Sequence, residues 1–151
     1  MLTRTVDTNE YVSVLRELVE QEKEVSLLIA GNSMSPFLVH QRDTICFRKP
    51  DKELRRGDIV FYQRENGQYI MHRIYKACPE GYYMVGDAQV AIEGPLRAEQ
   101  IFAFVTKVRR KGKWIGPNDL WWRFFAHIWI RIVPMRRMVL KGYSVLTRRG
   151  R

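Results

Sequence analysis

The sequence predicts a mainly β protein: a compact antiparallel β fold with an N-terminal amphipathic helix and a C-terminal aromatic, basic helix. Three observations predict it. Between residues 25 and 110, short runs rich in β-branched and aromatic residues follow one another closely, separated by turn residues. Residues 8–22 place apolar side chains at helical spacing, and from Gly112 onward the character changes again. A chain of 151 residues can bury one core, and 46% hydrophobic with 28% charged residues excludes a disordered chain. The expected divisions are a helix in 1–24, a β domain in 25–111 and a basic helical tail in 112–151, within one domain overall.

The first element, TNEYVSVLRELVEQE, carries Tyr11, Val14, Leu15, Leu18 and Val19 on one stripe, with Asp7 or Thr8 available as a cap. The run 25-VSLLIA-30 reads as a strand ending at Gly31, since Pro36 forbids its simple continuation. Residues 44-TICFRK-49 read as a second strand. The segment 55-RRGDIVFYQ-63 gives a turn and a third strand, and 66-NG-67 signals a hairpin into 68-QYIMHRIYKA-77. A hairpin at 79-PEG-81 leads to 82-YYMVG-86, and 101-IFAFVTKVRR-110 is the last strand expected.

Residues 117–134 open with a proline and an Asn/Asp cap and end at Pro134, which predicts a helix. It is rich in Trp and Phe, and Arg123, His127 and Arg131 form one narrow polar stripe. At about 1.5 Å per residue it is too short to cross a hydrocarbon core of about 30 Å. A helix lying in a membrane interface through Trp121, Trp122 and Trp129 is expected; packing on the β domain or in an oligomer is the open alternative.

Charge agrees with a surface role for this region. Residues 1–106 hold 13 Lys+Arg against 15 Asp+Glu, whereas residues 107–151 hold 13 against Asp119 alone. The net charge of +10 therefore belongs to the C-terminal third, which suits a membrane surface or nucleic acid. Its tryptophan-rich apolar content favours lipid over nucleic acid. No signal peptide and no apolar run of about 18 residues is present. A cytoplasmic protein, peripheral on the membrane, is expected. Cys46 and Cys78 match no metal-ligand spacing and are expected as free thiols, so neither a metal nor a cofactor is anticipated.

A serine nucleophile needs a base within hydrogen-bond reach, and the chain offers only His40, His72 and His127. Four boxes occur in order: Ser33-Met34-Ser35-Pro36, Arg56-Gly57-Asp58-Ile59-Val60, His72-Arg73-Ile74 and Gly86-Asp87-Ala88. In these residues the chain resembles the signal peptidase I / LexA-like superfamily of serine peptidases. It looks closest to the Ser-His branch, which includes the archaeal, endoplasmic-reticulum and sporulation signal peptidases.

The resemblance implies Ser33 as nucleophile and His72 as base, where the other branch has lysine. An acid behind the histidine is implied as well: Asp87 is narrowly preferred, with Glu93 the rival. Asp58 is expected to be structural, closing its turn. Many signal peptidases carry a serine two residues before the nucleophile, and here that position is Gly31. The oxyanion site then rests on the Ser33 backbone N–H, with Asn32 or Ser35 as helpers. Met34, Pro36, Phe37 and Leu38 are candidates for lining a shallow apolar pocket or docking on lipid.

The expected function is that of a serine endopeptidase cleaving a leader or precursor peptide, or a membrane-associated protein, through a Ser-His dyad or Ser-His-acid triad. The alternatives are a self-cleaving repressor-type regulator, and a catalytically weak membrane- or nucleic-acid-binding module that uses the basic region.

Overall fold

The computed structural model describes residues 8–149. It contains helix α1 (Thr8–Glu20) and strands β1 (Val25–Leu28), β2 (Thr44–Arg48), β3 (Ile59–Gln63), β4 (Tyr69–Cys78), β5 (Gly81–Val85), β6 (Glu93–Leu96), β7 (Ile101–Arg110) and β8 (Lys113–Ile115). Helices α2 (Leu120–His127) and α3 (Arg136–Arg149) follow. The cap proposed at Asp7 lies outside the described residues.

All strand pairings are antiparallel, in the order β1-β2-β7-β3-β4-β5-β6, with β8 added to β7. The late strand β7 thus lies between β2 and β3. Side chains of successive strand residues alternate between faces, and both faces here are covered. Ile45, Phe47, Phe61 and Val105 pack with α1 and α2, whereas Val60, Tyr62, Ile74, Met84 and Phe104 form a second core.

Helix α1 buries Val12, Leu15 and Val19, one stripe at i, i+3 and i+7. Val14, expected on that stripe, is exposed instead, and Val12 takes its place. Two strands escaped the sequence reading. β6 contains Gly94 and Pro95, which mask its pairing with β5, and β8 is only three residues long.

The helix expected over 117–134 is not continuous. Asp119 caps α2 by accepting from the Trp121 and Trp122 N–H groups. After His127 the chain passes through two short 3₁₀ turns, Trp129–Arg131 and Val133–Met135, and then continues as α3. The break lets Trp129 turn inward, where its Nε1–H donates to the Asp87 carbonyl at 2.7 Å. Trp122 and Trp129 are 6% and 3% exposed, packed in the core, so of the three tryptophans expected at a membrane only Trp121, 54% exposed, is free to reach one. Cys46 and Cys78 are free thiols. Among the described residues no helix is long and apolar enough to cross a membrane.

Candidate active site

Ser33 lies in the turn that follows β1. Gly31 opens this turn in the left-handed region, at φ 93°, and its N–H donates to His40 Nδ1 at 2.8 Å. Glycine enters that region without steric cost, whereas a serine there is strained. The Ser35 N–H donates to the Asn32 carbonyl at 3.1 Å and is therefore spent within the turn. Met34, Phe37 and Leu38 are buried in the main core and anchor the segment. They are absent from the lining of the cavity at Ser33. This corrects the pocket role expected of Met34, Phe37 and Leu38, because buried side chains that hold the turn in place are not available to substrate; Asn32 is exposed and Pro36 half-buried.

The Ser33 carbonyl accepts from the Ala88 N–H at 2.9 Å, tying the turn to the loop after β5. Gly86 permits the approach, because a Cβ at that position would stand 2.6 Å from the Ser33 carbonyl oxygen.

His72 sits in β4 directly opposite Val60 of β3. Tyr62, two residues along β3, shares that face and is a diagonal neighbour of His72. Its hydroxyl oxygen is 3.2 Å from His72 Nδ1 and donates to Glu93 Oε1 at 3.1 Å. Glu93 pairs across β5 with Met84, which itself pairs with Ile74, so the sheet register brings Glu93 to the face of His72. Arg64 grips the Glu93 carboxylate through Nε at 2.9 Å and Nη2 at 2.6 Å.

Burial sets the electrostatics here. It pulls His72 from 6.5 down to about 4, against the opposing charge of Glu93, so the imidazole is neutral at physiological pH. Burial first, and the Glu93 charge second, push the Tyr62 phenol upward. The hydrogen bonds from Arg64 hold Glu93 below the usual carboxylate range.

Ser33 and His72 line one cavity of about 370 Å³, with walls that include Ile29, Ala30, Phe61, Met71 and Gln89. An adjoining cavity of about 430 Å³ shares Arg64, His72 and Gln89 and adds Glu93 and Arg137. Among the described residues no hydrogen bond joins Ser33 Oγ to His72. Among the described residues no buried polar side-chain atom lacks a partner, and Ser33 Oγ and His72 Nε2 have no protein partner there, so both atoms reach solvent. Catalytic contacts are often long before substrate binds and tighten with it.

Asp87 is placed elsewhere. Its carboxylate is fully buried and bound at 2.9 Å by both Nε and Nη2 of Arg73. Arg73 follows His72 on the strand and so points to the opposite face, where Nη1 also donates to the Gly57 carbonyl. The sequence preference for Asp87 over Glu93 is reversed by this geometry, since Asp87 is committed to Arg73 and Glu93 reaches His72 through Tyr62. Asp58 accepts from the Arg55 N–H and from Lys52, closing its turn. His127, at the end of α2, is exposed and lines neither cavity.

Sequence reasoning missed Tyr62 and Arg64. A tyrosine in an apolar strand reads as core, and only the pairing of Val60 with His72 reveals where its hydroxyl goes. No curated protein and no solved structure matches the chain at a significant level. The model of the Peptidase S24-like family does match, over residues 2–96, and the chain belongs to that family, within the signal peptidase / LexA-like serine peptidase superfamily.

Proposed function

We propose that this member of the family is a serine endopeptidase of the Ser-His type, with Ser33 as nucleophile and His72 as general base. Its substrate is the extended segment of a leader or precursor peptide, or of a membrane-associated protein. One observation carries the reading: Ser33 and a neutral, buried His72 line the same partly apolar cavity. Family membership supports peptidase or self-cleaving chemistry in general.

In the proposed reaction Ser33 Oγ attacks the scissile carbonyl and its proton passes to His72 Nε2. The resulting imidazolium returns that proton to the leaving amine, and water then releases the acyl group by the reverse sequence. The Ser33 N–H makes no hydrogen bond among the described residues and can face the oxyanion. With Gly31 in place of a hydroxyl-bearing residue, and Ser35 N–H engaged, few donors remain. Loss of one such donor costs roughly 100–1000-fold in rate, which suits a slow, specialised peptidase.

Labelling by a fluorophosphonate probe tests the reading. It should be abolished by Ser33→Ala and by His72→Ala, and unchanged labelling of either folded variant refutes the mechanism. Loss of intact mass on incubation without substrate would instead assign self-cleavage of the repressor type to the same pair.

A peripheral membrane location extends the reading. Leu120, Trp121, Ile128, Met135 and Met138 are exposed beside the basic residues Arg123, Arg131 and Arg137. Apolar and cationic side chains together match an anionic lipid surface. Flotation with anionic vesicles, and loss of flotation in the Trp121→Ser/Met138→Ser variant, is the expected outcome. Equal flotation of both proteins refutes it.

A further inference from the structure

The hydrogen-bond chain behind His72 has only one consistent direction. Arg64 Nε and Nη2 both donate to the Glu93 carboxylate, which holds it ionised, so Glu93 can only accept. The Tyr62 hydroxyl has a single proton, and that proton goes to Glu93 Oε1. The Tyr62 oxygen can then meet His72 Nδ1, 3.2 Å away, only as acceptor. The imidazole must therefore carry its proton on Nδ1, and Nε2, open to solvent, holds the lone pair.

We propose that Tyr62 is the positioning residue of His72, its hydroxyl relaying the Glu93 charge to Nδ1–H so that the basic Nε2 is left for Ser33. This rests on the reading of His72 as the base. The usual direct carboxylate partner is replaced by a phenol and a carboxylate in series. Tyr62 suits the position because it is fully buried in the second core, in the same cluster as Val60 and Ile74, and its ring cannot swing away. The charged and titratable groups acting on His72 are Tyr62 and Arg64 at β3, Glu93 on β6 and Asp87 in the loop after β5, with Arg137 lining the adjoining cavity.

Nitrogen NMR of the full ¹⁵N-labelled chain near pH 7 reads the tautomer directly. The His72 signals are assigned by their loss in His72→Gln. The expected result is a protonated Nδ1 and a bare Nε2; a protonated Nε2 overturns the proposal without touching the peptidase reading. In Tyr62→Phe, which keeps the ring, the tautomers should redistribute toward Nε2–H. Fluorophosphonate labelling of that variant should slow roughly 10–100-fold, the range for removing an orienting partner. A Tyr62→Phe protein with the same tautomer and labelling rate as the parent also overturns the relay. If Ser33→Ala still labels, the peptidase reading falls, while the NMR result continues to judge the hydrogen-bond chain.

Discussion

Arg73 and Asp87 form a two-bonded ion pair with both side chains fully buried, on the face of the sheet away from His72. The pair joins β4 to the loop after β5, and that loop holds the Ser33 carbonyl, because Ala88, next to Asp87, donates to it. Phe37 stacks under the Arg73 guanidinium, with 5.3 Å from Cζ to the ring centre, and links the pair to the serine turn.

Removing one partner of such a pair strands the other charge in the interior. Asp87→Asn should therefore cost about 3–5 kcal/mol in urea denaturation. The double variant Arg73→Met/Asp87→Leu should be less destabilised than Asp87→Asn alone. If Asp87→Asn unfolds like the parent, the pair is not a structural link.

The depressed His72 value predicts a pH dependence of stability. In the unfolded chain the imidazole titrates near 6.5, and in the folded protein near 4. Between these values the unfolded chain binds more protons, so stability falls as pH drops from 6.5 toward 4 and is fully present above 6.5. At roughly 1.4 kcal/mol per pH unit the gap corresponds to about 3 kcal/mol. Denaturation of the parent and of His72→Gln across this window should show the difference between them shrinking as pH falls.

The same shift sets an acid limb for labelling. A base that stays neutral to about pH 4 should keep fluorophosphonate reactivity nearly flat between pH 7 and pH 5. A midpoint near 6.5 would show that burial does not govern the imidazole.

Gly86→Ala should impair the site more than the fold. The added methyl would collide with the Ser33 carbonyl oxygen and the Gln89 side chain, displacing the turn. Overpacking of this kind costs about 1–3 kcal/mol, and labelling should fall more than tenfold while the protein remains folded. Normal labelling would show that the turn tolerates displacement.

Arg136→Lys probes the C-terminal anchor. The buried guanidinium donates to the carbonyls of Gly86, Gln89 and Trp129, which one ammonium group cannot all satisfy. A loss of at least about 1.5–3 kcal/mol is expected from bonds to a charged donor. An unchanged melting profile would count against the anchor.

The strands up to 86 and the long strand 101–110 were legible because their apolar runs and turn residues are local signals. The site was legible only in part. Ser33 and His72 stand out through ordered motifs, but which acid lies behind His72 depends on register. His72 and Arg73 are neighbours in sequence and face opposite ways, so the acid in the best-matching motif, Asp87, goes to the arginine. Glu93 arrives through β6, whose Gly94 and Pro95 conceal it as a strand. The aromatic segment 117–134 reads as a surface helix because its composition is apolar. Only its break after His127 reveals that Trp129 turns inward to the Asp87 carbonyl.

The position of β7 has a consequence for how the chain is made. β2 and β3 leave the ribosome early, yet each pairs with β7 on one side, and no strand pairing joins them to each other; only side chains such as the Phe47 and Phe61 rings, 4.8 Å apart, meet across the gap. Nascent chains emerge N-terminus first. Until residues 101–110 appear, the β1–β2 hairpin-like pair and the β3–β6 meander are two separate pieces with unpaired edges. Residues 2–96, the span the family model covers, thus contain Ser33, His72 and Glu93 but not the strand that welds their two halves together. The turn that carries Ser33 and the strand that carries His72 therefore belong to two pieces that only β7 pairs into one sheet.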